Sequence, residues 1–298
     1  MKRKITFLIL IVTIFNLGMA DNINLRNPKN WEKILGNSDT VDYPIVFVHG
    51  IAGGPFFWDY TANIVSNNNY YDMRYYLEDK IYHNYIDGTP KNWIFNVSYY
   101  TLNPIKETFE GDLTNYAKRM ERIIENIKKI TKKDKVIIIA HSMGGLVSRK
   151  YMILNDKNWD SVYKIVTVGT PNEGVRNTIG VVGQIRDCGN KSKLISDINK
   201  GWNKKGESWK KWGVVGAVET KLWFDLKNLK GYATDLAGIG YIEISSSIPF
   251  GEWKDALKEL GKERRDTEHF GFRILVDDNH LGMLKNYGVL RAVRWAVE

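Results

Sequence analysis

The chain has 298 residues, of which 43% are hydrophobic and 26% charged, and it carries a formal net charge of +9 at pH 7. That balance is globular rather than disordered and is enough for one sizeable α/β core or two small ones. Cys188 is the only cysteine, which excludes an intrachain disulfide framework and a cysteine-rich metal site.

Along the chain, Lys2, Arg3 and Lys4 precede the apolar run "ITFLILIVTIFNLGM", with small residues at Gly18 and Ala20. This is the layout of a secretory signal peptide, residues 1–20, with cleavage expected after Ala20. The alternative is an uncleaved anchor, because the run is at the lower edge of what spans a bilayer. In either case the remainder, residues 21–298, is expected to be exported and to work outside the cytoplasm as a single domain.

Six short β-branched or aromatic runs then read as buried strands: "YPIVFVHG" (43–50), "NWIFNVSYY" (92–100), "DKVIIIAHS" (134–142), "YKIVTVGT" (163–170), "YIEISSS" (241–247) and "FRILVDD" (272–278). Between them, Leu113, Tyr116, Ala117, Met120, Ile123, Ile124 and Ile127 recur at steps of three and four, which predicts one long amphipathic helix. Strands alternating with helices predict an α/β fold with a parallel sheet covered on both faces. Residues 172 to about 236 break the alternation: no buried strand is evident, and Trp202, Trp209, Trp212, Trp223 and Phe224 stand among glycines and lysines. The segment reads as an insertion over the sheet, covering a binding site or forming its own small core. Basic clusters at 128–135 and 262–265 suit an anionic lipid surface or solvated helix faces. They are scattered and lack a recognition motif, so nucleic acid is not an expected partner.

The stretch "AHSMGG" (140–145) leaves a strand and opens a helix, so Ser142 falls at a strand-to-helix turn on the carboxyl edge of the sheet, where ligands bind in doubly wound folds. Small residues at Ala140 and Gly144 permit a sharp turn. A serine there lies near the positive end of the following helix, and the Met143 N–H is the natural first donor to an oxyanion. Serine needs a base. His141 is adjacent but points to the other side of the strand, whereas His280 follows the last strand at the same edge. His83 and His269 have no comparable setting. Upstream, His49 and Gly50 end the first strand in a turn, and the Ile51 N–H is the second candidate donor.

Together, "VFVHGIAGGPFFW", "IIIAHSMGGLVSR", "VTVGTPNEG" and "DDNHLGML" resemble the α/β-hydrolase family, most closely its secreted bacterial lipases, and also the lipase-like domain of inositol deacylases acting on lipid anchors. The resemblance covers roughly residues 43–171 and 241–298. Ala140 stands where the family usually has the first glycine of G-x-S-x-G, as in several bacterial lipases. The resemblance implies a mostly parallel sheet with helices on both faces and a helical lid insertion at about 172–236. It also implies a triad in the order serine, acid, histidine, with Ser142 as nucleophile, His280 as base and Ile51 and Met143 at the oxyanion positions. The acid is expected in the loop after the strand represented by "YIEISSS", where Asp255 is followed by Ala256 and Leu257; Glu252 and Asp266 are also in range, and Asp255 equally suits the first turn of a helix.

The implied activity is hydrolysis of lipid-like carboxylic esters through an acyl-enzyme, with no metal or organic cofactor. Export, the aromatic insertion, and Phe56, Phe57 and Trp58 beyond the oxyanion turn favour a lipid or acyl-ester substrate and contact with a lipid surface. A phospholipid deacylase or acyltransferase on the same fold is the alternative within this chemistry. A catalytically silent lipid-binding module is the alternative outside it.

Overall fold

The computed structural model describes residues 42–66, 70–76, 80–85, 93–101, 107, 111–176, 183–218, 233–235, 241–252 and 254–298. The leader expected at residues 1–20, with its cleavage site, lies outside the described residues. Among the described residues no helix is long and apolar enough to cross a membrane.

The strands are β1 (Ile45–Val48), β2 (Tyr71–Tyr75), β3 (Ile81–His83), β4 (Ile94–Ser98), β5 (Val136–His141), β6 (Val162–Val168), β7 (Trp212–Val218), β8 (Ala233–Asp235), β9 (Tyr241–Glu243), β10 (Arg264–Arg265) and β11 (Phe272–Asp277). Nine of them form one sheet in the order β10-β11-β7-β6-β5-β1-β4-β2-β3. Its pairs are parallel except at the two edges, β2 with β3 and β10 with β11. The helices of eight or more residues are α1 (Asp59–Ser66), α2 (Leu113–Thr131), α3 (Met143–Met152), α4 (Lys193–Asn203) and α5 (Tyr287–Val297).

The period of two along the central strands divides the core into two layers. Val46, Val48, Ile138 and Ala140 pack with the apolar sides of α2 and α3, and Ile45, Phe47, Ile137 and Ile139 with Trp58, Ala62 and the buried face of α5. The stripe predicted for α2 is the buried one, from Leu113 to Ile127. Asp112 starts that helix by accepting the Asn115 N–H at 2.8 Å.

The segment expected to lack a buried strand is corrected by β7, whose seven residues are all buried and lie between β6 and β11. Its two glycines, a residue type depleted in strands, conceal it in the sequence. They are there because neighbours close in: a Cβ at Gly213 would sit 2.7 Å from the Trp295 ring, and one at Gly216 2.7 Å from Ile248 Cδ1. "YIEISSS" is corrected in the opposite direction. Among the described residues, Tyr241–Glu243 pairs only with Ala233–Asp235 in a separate two-stranded sheet, and Ile244–Ser247 is helical. The polar runs of β2 and β3 extend the sheet beyond β4, where half-exposed edge strands need no apolar pattern.

Of the aromatic residues of the same segment, Trp202 and Trp212 serve packing. Trp202 on α4 and Trp212 on β7 lie 5.2 Å apart, and the guanidinium of Arg149 on α3 sits over both rings, at 4.7 and 4.3 Å. Arg149 also donates to Asn172 Oδ1 (3.1 Å) and Asn199 Oδ1 (2.9 Å), so one buried cation joins α3, α4, β7 and the loop after β6. Burial pushes its pKa down to about 9. Trp223 and Phe224 lie outside the described residues.

Gly213→Ala is expected to destabilise the fold by about 1–3 kcal/mol through overpacking against Trp295. Gly206→Ala, at a position with nothing within 4 Å, should leave stability unchanged. Urea denaturation of the two variants against the wild type checks both outcomes.

Candidate active site

Because β1, β4, β5, β6, β7 and β11 run parallel, the residues that follow them all emerge at one edge of the sheet. His49–Gly50, Ser98–Tyr100, Ser142, Gly169–Pro171 and the loop to His280 are thereby brought together, in the order set by the strands.

Ser142 occupies the turn between β5 and α3 with φ 53° and ψ −130°, a conformation that side-chain-bearing residues adopt only under constraint. Its N–H donates to the Val168 carbonyl at 2.8 Å, and its carbonyl accepts the Gly145 N–H at 3.0 Å, so the turn is anchored on both sides. The neighbouring backbone is in close contact. A Cβ at Gly144 would lie 2.2 Å from the His49 carbonyl oxygen, and one at Gly50 would lie 2.8 Å from Ser142 Cβ. The serine, the start of α3 and the His49–Gly50 turn are therefore one packed unit. The Met143 N–H is at the first position of α3, where a helix leaves its amides without intrahelical acceptors and the dipole favours negative charge.

The opposite turn is held by its own hydrogen bonds. His49 Nδ1–H donates to the Gly50 carbonyl at 2.7 Å, which also accepts the Gly53 N–H at 3.3 Å. His49 Nε2 accepts the Ser98 hydroxyl at 3.1 Å, which fixes the tautomer. Tyr99 donates to the His49 carbonyl at 3.0 Å. With the carbonyl of the Gly50–Ile51 peptide pinned in this way, the direction of the Ile51 N–H is fixed on the opposite side of a trans peptide. Among the described residues neither Ile51 N–H nor Met143 N–H has an acceptor.

His280 is buried, its ring 4.5 Å from that of His141. His141 Nε2–H donates to the His280 carbonyl at 2.9 Å. Thus His141, which the sequence excluded as the base, positions the backbone of the histidine that it favoured. The adjacency of His141 to Ser142 was the available signal, but the contact spans 139 residues and is visible only in three dimensions. Asn279 Oδ1 accepts the N–H groups of Leu281 (3.1 Å) and Gly282 (2.7 Å), and Asp278 accepts Asn286 Nδ2–H at 2.8 Å, which fixes the rest of the loop. Burial lowers the pKa of His49 and of His141 to about 4, and burial with the nearby His141 lowers that of His280 as well. All three are neutral at pH 7.

The structure does not bring Asp255 to His280. Both ring nitrogens of His280 are buried without a hydrogen-bond partner among the described residues. Asp255 is exposed at the start of the short helix Ala256–Glu259, the helix-start reading of that residue. Glu252 is occupied by Thr267 (2.9 Å), His269 (3.2 Å) and Arg273 (3.3 Å), and Asp266 is exposed. The physical reason lies in the strands: Tyr241–Ser247, after which the acid is expected, is not part of the main sheet. The strand in that place is β7, whose last residue, Val218, accepts the Asp278 N–H at 3.2 Å beside the His280 loop. The sequence positions that follow it, including Glu219 and Asp225, lie outside the described residues.

A family model described as PGAP1-like alpha/beta domain matches residues 39–205. No curated protein matches the chain in sequence. Among solved structures, the product of gene lin2722 from Listeria innocua is similar with a TM-score of 0.58 at 17% identity, over 86% of this chain and 94% of that one. A candidate cell surface hydrolase from Lactobacillus plantarum WCFS1 is similar with a TM-score of 0.53 at 12% identity, over 84% and 88%. The mature lipase BlEst2 of Bacillus licheniformis gives 0.47 at 13% identity, over 82% and 86%. The first two likenesses are of fold: the mostly parallel mixed sheet, flanked by helices on both sides, is that of the α/β hydrolases.

Two outcomes follow from the strain and burial at this site. Ser142→Gly is expected to raise the unfolding free energy by about 1 kcal/mol, because glycine accepts the positive φ; urea denaturation measures it. Histidines held neutral in the fold but protonated in the unfolded chain stabilise fully above pH 6.5 and lose that contribution as the pH falls toward 4. The unfolding free energy should therefore drop below pH 6.5 by up to about 1.4 kcal/mol per pH unit for each such histidine. His141→Asn should make the decline shallower in denaturation curves between pH 4.5 and 8.

Proposed function

The chain belongs to the PGAP1-like alpha/beta domain family, and from that premise we propose that it is an exported serine hydrolase cleaving carboxylic esters of lipid-like substrates. The observation that carries the reading is the constrained Ser142 turn, packed against the Gly50–Ile51 peptide and sharing its sheet edge with His280. The proposed nucleophile is the Ser142 hydroxyl. His280, neutral at pH 7 because it is buried, takes the proton as the oxygen attacks the acyl carbon, and then returns it to the leaving alcohol. The N–H groups of Ile51 and Met143 receive the developing oxyanion, a contribution of roughly 3 kcal/mol per donor. Water then hydrolyses the acyl-enzyme by the same route.

An apolar acyl group is favoured by the helical turn Pro55–Trp58, which follows the oxyanion turn directly. Phe56 and Phe57 stack there at 4.9 Å, and Phe56 is 48% exposed. The expected export signal at residues 1–20 fits an extracellular lipid or acyl-ester substrate. Product analysis with a primary alcohol acceptor separates hydrolysis from acyl transfer.

A second reading, a catalytically silent lipid-binding module, has one observation in its favour: the His280 imidazole has no orienting carboxylate among the described residues. Hydrolysis of p-nitrophenyl esters of graded acyl length decides between them. The proposed enzyme turns these over, loses at least about 10⁴-fold in kcat on Ser142→Ala or His280→Ala, and keeps near wild-type rates on Asp255→Asn. A folded wild type without turnover that binds phosphatidylcholine vesicles as well as its Ser142→Ala variant would instead favour the binding module.

A further inference from the structure

The Gly50–Gly53 turn contains a feature that the reaction alone does not explain. Ala52 has φ 54°, the left-handed region, at the third position of a turn closed by Gly53 N–H on the Gly50 carbonyl at 3.3 Å. Turns with positive φ at that position favour glycine. An alanine persists there only where the surroundings over-determine it, and such strain concentrates at functional sites. The restraint is the Ala52 N–H, which donates to Tyr100 Oη at 3.2 Å.

Tyr100 is itself fixed. Its hydroxyl donates to Gln184 Oε1 at 2.8 Å. Burial raises its pKa far above the ordinary phenol range, so the group stays a phenol with one proton. That proton goes to Gln184 Oε1, which leaves lone-pair density on the phenol oxygen for the Ala52 N–H. The ring packs between His49 (4.9 Å), Tyr99 (5.0 Å) and Tyr116 (5.3 Å). Gln184 is fully buried and starts the short helix Gln184–Asp187 beyond β6. Asp187 at its end accepts the Leu113 N–H of α2 at 3.2 Å, which anchors the helix independently.

We propose that Tyr100 is a positioning residue for the oxyanion turn, and that Gln184, from the segment after β6, orients it. The line Gln184–Tyr100–Ala52 holds the turn next to Ile51 in a conformation it would otherwise leave, so that the Ile51 N–H stays aimed. This rests on the serine-hydrolase reading for its catalytic consequence. It makes the segment after β6 part of the site: movement of Gln184 releases the Tyr100 proton from its acceptor and weakens the restraint on Ala52, beside the hydrogen bonds of His49 and Gly53 to the Gly50 carbonyl.

The test uses Tyr100→Phe, Gln184→Leu and the double variant in the intact protein, with two readouts. The first is p-nitrophenyl ester hydrolysis. Tyr100→Phe should lower kcat roughly 10- to 100-fold, less than or similar to the loss of one oxyanion donor, with KM within about twofold. Gln184→Leu should give a smaller fall in the same direction. The double variant replaces a buried polar pair by apolar groups and should recover thermal stability without recovering kcat, which separates positioning from folding. The second readout is hydrogen exchange of the Ala52 amide by NMR, independent of turnover, with protection lost in Tyr100→Phe. Wild-type kcat in Tyr100→Phe overturns the inference. If the wild type itself has no turnover, the hydrolase reading fails, and Ala52 exchange alone decides the restraint: lost protection supports it, unchanged protection overturns it.

Discussion

The rest of the site depends on how closely three backbone segments meet at the end of β5. Ser142 sits at φ 53° because the chain must leave the sheet and begin α3 within one residue. That turn is possible only because Gly144 and Gly50 have no side chains to strike the His49 carbonyl and Ser142 itself. The contact joins the serine, the first amide of α3 and the Ile51 amide into one unit. It thereby fixes the geometry on which the proposed acylation of Ser142 depends.

Around that contact the protein uses buried neutral groups rather than charges. His49 bonds the Gly50 carbonyl and Ser98, His141 bonds the His280 backbone, and burial depresses the pKa of each. Neutral imidazoles can donate with one nitrogen and accept with the other, so they set peptide orientations without the desolvation penalty of an ion. The same burial gives His280 a neutral ring able to accept a proton. Further out, Arg149 between Trp202 and Trp212 joins α3 to β7 and α4 through ring faces and amides, with no carboxylate bonded to it among the described residues.

Much of this was legible in the sequence, for identifiable reasons. The runs that became β1, β4, β5, β6 and β11 are continuous and β-branched because parallel strands are covered on both faces. The stripe of α2 repeats at helical steps without interruption. Small residues around Ser142 and the His49–Gly50 pair marked both turns. β7 was missed because Gly213 and Gly216 yield space to Trp295 and Ile248, contacts that no local pattern reveals. That omission displaced the expected acid to Asp255, which is exposed at a helix start. The roles of His141, Tyr100 and Gln184 were not readable, because each depends on a partner at least 48 residues away.

Covalent labelling with a fluorophosphonate, mapped by mass spectrometry, tests whether Ser142 is an activated nucleophile. A single adduct is expected on Ser142 in the wild type, absent from Ser142→Ala and strongly slowed in His280→Ala. A folded wild type that takes no label, or takes it equally well without His280, would contradict it.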